Sequence, residues 1–338
     1  MKKRILLVPL ALILAASLIA CAAPAPEAAP APAYSWKIAH IRPTGTDIDK
    51  DVTWLVDKIY EDSGGKTVIG IYPAASLGDY LVVQERVMLG DVEMQLACVG
   101  TLWDVRMGIQ ALPGVVATWD DARELYTTGS WLMDMMSAIF ADQGLKLISG
   151  WPVYFGGIAL AKEPPSPADP DVPKNIKIRV PPMKSFELYA EAMGYIATPI
   201  PFAELFTSLE SGIVDGAIGA GAEGYYANVR DLIKYYLPLN DHFEMWYFYM
   251  NLDLWNSLSE EDQKIIQDAG LSLEARRFAV AEEREKFNEQ RLRDYGIEVI
   301  TFTDAELARF SDKARDYVLP EMREDIGPAM DEVLGWLK

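Results

Sequence analysis

KIRVPPMKSFELYAEAMGYIATPIPFAELFTSLESGIVDG, residues 177–216, carries more structural information than any other stretch of the chain. Ile178 and Val180 flank Arg179 in a short apolar run that Pro181-Pro182 ends. That pattern reads as a strand over 177–180, with the arginine held at a rigid strand end. Lys184 to Met193 follows as an amphipathic helix. A guanidinium stays charged at any ordinary pH, and its planar fork matches both oxygens of a carboxylate. Nothing beside Arg179 resembles a nucleophile or a general base. The segment suits gripping a small anion without reacting with it.

Working outward, strand and helix signals alternate. Ser35 to Ile41 reads as a strand, Asp49 to Ser63 as a helix stopped by Gly64-Gly65, and Thr67 to Tyr72 as a second strand. Tyr80 to Leu89 is helical up to Gly90, and Val92 to Cys98 is again strand-like. The order resumes with strands over Leu145–Trp151 and Gly156–Ala161, then a proline-rich loop from Pro164 to Pro173. Such alternation predicts an α/β fold with helices covering mainly parallel sheets. Ser259-Glu260-Glu261-Asp262 opens the longest helical pattern, with Ile265, Ala269, Leu273, Phe278 and Phe287 recurring until Gly296. At a rise of about 1.5 Å per residue it would span roughly 50 Å, more than one small lobe needs.

The amino terminus reads as an export signal. Met1-Lys2-Lys3-Arg4 is basic, Ile5 to Ala20 is apolar and interrupted by Pro9, and the run is short for a membrane span. Residues 1–20 are therefore expected to be a signal peptide. Leu18-Ile19-Ala20-Cys21 resembles a bacterial lipobox, which would leave Cys21 lipidated. The following Pro/Ala-rich stretch, 21–33, is expected to be an extended linker between anchor and globule. The chain carries a formal net charge of −19, more negative still without Lys2, Lys3 and Arg4. Nucleic-acid binding requires phosphate neutralisation, so that balance opposes it. After Cys21 only Cys98 remains, and the two histidines, His40 and His242, lie far apart. Neither a disulfide nor a zinc site follows, and no cofactor is expected.

Three ordered motifs carry a family resemblance: Ile178-Arg179-Val180-Pro181, Pro199-Ile200-Pro201-Phe202-Ala203-Glu204-Leu205, and Gly212-Ile213-Val214-Asp215-Gly216. Weaker matches are Lys37-Ile38-Ala39-His40 and Tyr72-Pro73-Ala74-Ala75-Ser76-Leu77-Gly78-Asp79. Together they resemble the substrate-binding proteins of TRAP transporters, the DctP-like family. The resemblance implies a two-lobed, periplasmic-binding-protein-like α/β fold with a hinge and one long helix shared by both lobes. On that pattern lobe I would hold residues 34–154 plus 245–283, and lobe II residues 155–244 plus 284–338. It also implies a receptor without catalysis, lipid-anchored in the periplasm or at the outer face of the cytoplasmic membrane. The receptor would bind an organic acid anion and hand it to a TRAP permease.

The resemblance further implies that Arg179 binds the ligand carboxylate. Other polar contacts of the family are replaced here: a second arginine falls near Gly157, an asparagine near Gly219, and a glutamate at Cys98. Small residues enlarge a pocket without binding a second carboxylate. Aromatic residues populate the segments expected to form the cleft: Trp151, Tyr154, Phe155, Phe202, Tyr225 and Trp246. Phe202, Trp246 and Tyr154 are taken as lining residues with Gly219, and Arg42 as a second cation or a surface residue. Apolar walls with one charged anchor suit a monocarboxylate with an apolar or aromatic body. Two other readings remain open. Gly219-Ala220-Gly221-Ala222-Glu223-Gly224 is a literal GxGxxG, preceding a helix expected from Tyr225 to Tyr235, with Asp241 or Glu244 placed for a ribose. It would make the chain a secreted NAD(P)-dependent oxidoreductase. The other reading is a ligand sensor. Asp215 and Glu204 are read as a turn residue and a helix-start residue, not as a catalytic pair.

Overall fold

A computed structural model describes residues 32–337. The segment expected to be a signal peptide, Cys21, and the expected linker up to residue 31 lie outside the described residues. In chain order the strands are β1 (Tyr34–Ala39), β2 (Thr67–Tyr72), β3 (Met94–Ala97), β4 (Leu145–Phe155), β5 (Gly157–Leu160), β6 (Lys177–Val180), β7 (Ile196–Pro199), β8 (Gly216–Ala220), β9 (Tyr235–Leu237), β10 (Phe243–Asn251) and β11 (Glu298–Val299). The helices are α1 (Asp47–Asp62), α2 (Tyr80–Met88), α3 (Trp119–Tyr126), α4 (Trp131–Asp142), α5 (Lys184–Ala192), α6 (Leu205–Glu210), α7 (Ala222–Asn228), α8 (Leu252–Ser257), α9 (Glu260–Tyr295), α10 (Asp304–Ile326) and α11 (Ala329–Trp336).

The strands form two sheets, ordered β2-β1-β3-β10-β4 and β11-β9-β5-β8-β6-β7. Each is mainly parallel on one side and gains antiparallel pairs where the chain passes between sheets. β10 runs antiparallel to β3 and β4, and β5 antiparallel to β8 and β9. β4 pairs with β10 over its full length, and β5 begins after Gly156 alone. The return crossing lies between Leu237 and Phe243. Gly156 donates its N–H to the His242 carbonyl at 2.8 Å. A Cβ on Gly156 would stand 2.2 Å from the His242 ring. Glycine is therefore what lets the two crossing segments lie side by side.

α9 ties the halves together. Ser259 accepts the Asp262 N–H at its start, and Gly296 ends it at φ 97°. A left-handed stop of that kind favours glycine. The helix packs on β4 and α1 beside the first sheet and on α7 and β11 beside the second. Arg277, buried, stacks 4.2 Å over Trp151 and donates to the Pro152 carbonyl at 2.9 Å. With Arg284 it also grips Asp47 at the start of α1, at 3.3 and 2.7 Å. Further along, Glu285 accepts the Phe155 N–H at 2.6 Å and the Trp119 indole N–H at 2.9 Å. Burial pushes the Glu285 carboxyl up to about 7. So one helix fixes both the last residue of β4 and the flank of α3.

The strands at 67–72 and 177–180 match the sequence reading residue for residue, and most other elements shift by one or two positions. β4 extends beyond the anticipated Trp151 because β10 pairs with it as far as Phe155. The helix expected over Tyr225–Tyr235 is corrected: α7 ends at Asn228, and Tyr235–Leu237 is drawn into the second sheet against β5 and β11. α10 closes the back of the molecule, packing on both α5 and the turn at 105–111. Its Thr303–Glu306 capping box is readable in sequence.

Close contact between α9 and β4 rests on Gly270, where a Cβ would lie 2.6 Å from Ile148 Cγ2. Gly270→Val is expected to destabilise the fold by about 1–3 kcal/mol through overpacking. A lowered urea midpoint checks this; an unchanged midpoint would show that the helix can slide off the strand.

Candidate functional site

The crossings leave a cavity between the two sheets, near the carboxyl ends of β1, β3, β6 and β8. Open α/β sheets bind ligands at that place. The cavity's free volume is about 30 Å³. Arg42, Tyr154, Arg179, Phe202, Gly219 and Trp246 all line it. The structure thus brings together every residue singled out for ligand contact.

Arg179 sits on β6 between Thr198 of β7 and Ala217 of β8. It is 1% exposed. Its Nε donates to the Ile200 carbonyl at 2.7 Å and its Nη1 to the Ile218 carbonyl at 3.2 Å. Those two bonds lock the guanidinium plane. Backbone carbonyls therefore take the Nε hydrogen and one on Nη1, and the free hydrogens are on the Nη atoms. Desolvation lowers its pKa, yet arginine remains charged.

Arg42 is not on the surface: it too is 1% exposed. Its loop is pinned by the Ala74 N–H on the Arg42 carbonyl at 2.9 Å. The guanidinium lies 4.4 Å from the Phe202 ring centre and 4.9 Å from that of Trp246. Its Nε and Nη1 are buried with no hydrogen-bond partner. Phe202 also faces Arg179, at 5.8 Å. Neither guanidinium forms an ion pair with a carboxylate of the described residues. Asp79, at the start of α2, feels both cations, but burial raises its carboxyl above the usual range. Burial likewise pushes up the Cys98 thiol, another lining residue.

The GxGxxG segment serves this cavity. A Cβ on Gly219 would meet Pro181 at 2.3 Å, one on Gly221 the Tyr154 ring at 2.5 Å, and one on Gly224 Arg42 Nη2 at 2.8 Å. Each glycine makes room for a lining residue or its neighbour, and α7, the helix that follows, is only 7 residues long. Gly157, read as pocket space, is corrected: its Cβ would strike Leu237 O at 2.5 Å and the Tyr236 ring at 2.7 Å. Of the aromatic residues, Trp151, Phe155 and Tyr225 belong to the core. Tyr225 donates to the Ala217 carbonyl at 2.8 Å, while Phe155 packs edge-on to Trp119.

Sequence reasoning missed Glu244 as a lining residue. Its Oε1 accepts the Trp246 indole N–H at 2.6 Å, and its Oε2 faces His242 Nε2 at 3.1 Å. His242 Nδ1 reaches Asp241 Oδ2 at 2.6 Å. Burial alone would depress the imidazole, but Asp241 and Glu244 outweigh it and push His242 up to about 10. Both ring nitrogens then donate. The every-second-residue spacing of 242, 244 and 246, running into the start of β10, was the available signal. Asp215 pairs with Lys162 at 2.7 Å, outside the cavity. Among the described residues no group of acidic, histidine or cysteine side chains could hold a metal ion. None of their helices is long and apolar enough to cross a membrane.

Residues 38–325 match the family described as "Bacterial extracellular solute-binding protein, family 7" (DctP). Solute-binding protein RD1_1052 of Roseobacter denitrificans is 26% identical, over 80% of this chain and 81% of that one. Its crystal structure, with bound L-galactonate, aligns with a TM-score of 0.79 at 20% identity, covering 90% of this chain and 99% of that chain. The sialic acid-binding periplasmic protein SiaP of Vibrio cholerae is 28% identical over 64% of this chain and 66% of its own length. A TRAP periplasmic solute binding protein from Desulfovibrio salexigens, with bound orotic acid, gives a TM-score of 0.81 at 22% identity, covering 89% of this chain and 96% of that one.

His242 supplies a pH prediction. The folded state keeps its proton up to about 10, whereas the unfolded chain releases it near 6.5. Its contribution is therefore complete below about 6.5 and fades as pH rises through about 10. Urea unfolding of wild type and His242→Asn at pH 6, 8 and 10 should show the wild-type advantage shrinking with alkalinity. A constant or growing advantage would contradict the buried imidazolium.

Proposed function

The chain belongs to the bacterial extracellular solute-binding proteins of family 7, and from that premise we propose that it receives a small organic acid anion between its two lobes. One observation carries this reading: two buried guanidinia, Arg42 and Arg179, face an otherwise largely apolar cavity without a carboxylate partner. A ligand carboxylate would complete both. Tyr154, whose hydroxyl is buried and unpaired, and the rings of Phe202 and Trp246 would surround the ligand body. Gly219 makes room for Pro181, which lines the cavity beside Arg179. Among the relatives, SiaP is named for sialic acid, TeaA of Halomonas elongata for ectoine, and the Roseobacter protein holds L-galactonate; all three solutes carry a carboxyl group.

The cavity space admits about one or two water molecules as it stands. A solute enters only if the walls part, so the strand crossings at 155–157 and 237–243 act as a hinge. Residues 34–154 with 245–283 would move against 155–244 with 284–338. The anion favours the closed form because only there do both cations reach it. The closed receptor would then be read by a TRAP permease, without catalysis or cofactor. Cys21 would carry lipid at the outer face of the cytoplasmic membrane, and residues 21–33 would give the globule reach.

Titration calorimetry with a panel of monocarboxylates tests the assignment. Arg179→Ala should weaken the best ligand by about 1.5–3 kcal/mol, roughly tenfold to a hundredfold. Arg179→Lys should recover only part of the loss, since charge returns without the fork. Undiminished binding by Arg179→Ala, or preference for neutral solutes, would overturn the reading.

A further inference from the structure

We infer that Glu244 is a specificity-determining residue that requires the bound carboxylate to carry a neutral N–H or O–H donor. The inference rests on the receptor reading above and refines its ligand class. Glu244 lines the same cavity as the two arginines, and its side chain keeps 12% of its surface exposed. A carboxylate that shares a cavity with two guanidinia lacking a carboxylate partner would ordinarily pair with one of them. Glu244 instead accepts from Trp246. The face of the indole lies 4.9 Å from Arg42, while its edge N–H holds Glu244 Oε1 at 2.6 Å. One aromatic ring thus separates an anion-binding end from an acceptor end.

The acceptor is fixed as well as separated. Trp246 and His242 each occupy one lone pair of Glu244, and Asp241 holds His242 in turn. A carboxylate has about four acceptor sites, so two remain for the cavity. Asp241 and Glu244 share the single His242 imidazolium, so the trio keeps one net negative charge, which the two cavity guanidinia offset in part. An ammonium group on the ligand would therefore gain less there than beside an isolated carboxylate, because the guanidinia repel it. Amide, lactam, heteroaromatic N–H or hydroxyl groups fit instead. A carboxylate with a purely apolar body would leave Glu244 desolvated and its remaining sites unmet.

Calorimetry with two matched pairs tests this: pyrrole-2-carboxylate against furan-2-carboxylate, and indole-5-carboxylate against benzofuran-5-carboxylate. The pairs place the donor near to and far from the acid group. In at least one pair the N–H member should bind tenfold or more tightly than its ether partner. Glu244→Gln should shrink that gap to threefold or less while leaving the ether member unchanged. If both ether members bind as tightly as their partners and lose affinity in Arg179→Ala, the receptor reading stands and the role of Glu244 falls. A gap that persists in Glu244→Gln also removes Glu244 from the explanation. If none of the four carboxylates binds, both conclusions fall. The wild-type comparison decides alone should Glu244→Gln fail to fold.

Discussion

Two positive charges held out of water without a negative partner are the constraint on which this molecule turns. Burying a cation is expensive unless something compensates it. Arg179 is partly compensated by the Ile200 and Ile218 carbonyls, and Arg42 by the faces of Phe202 and Trp246. Neither arrangement replaces an anion. Neither Asp79 nor Glu244 forms an ion pair with the two guanidinia, and Glu244 is engaged by Trp246 and His242. Affinity for a small acid is then a property of the closed cavity as a whole.

The scaffold explains how that cavity is held and how it can open. β4 and β10 are paired along their length and pass into the second sheet through short segments. α9 clamps the first sheet through Arg277, Arg284 and Asp47, and reaches Phe155 at the crossing through Glu285. Motion is therefore confined to the few residues around Gly156 and between Leu237 and Phe243. The rigid parts carry the cations, with Arg42 on one side and Arg179 on the other.

Much of this was legible in sequence because the decisive signals are local. The 177–180 strand, its arginine and the stop at Pro181 sit within a few residues, and α9 announces itself by Ser259 and Gly296. Features built by distant contacts were not legible. Arg42 looked like a loop residue because the rings that bury it, Phe202 and Trp246, arrive from remote segments. The stretch after Asn228 looked helical, but pairing with β5 and β11 overrode its propensity. Gly157 looked like open space until Tyr236 filled it. Glu244 was visible, but only as one of two ribose partners in the dinucleotide alternative and not as part of the receptor cavity. Its every-second-residue spacing with His242 and Trp246 was the better guide.

A crystal structure of the protein with a bound carboxylate ligand tests the central claim most directly. The account predicts ligand carboxylate oxygens about 3 Å from guanidinium nitrogens of both Arg179 and Arg42. An acid group seated elsewhere, with both guanidinia still contacting only protein, would contradict it.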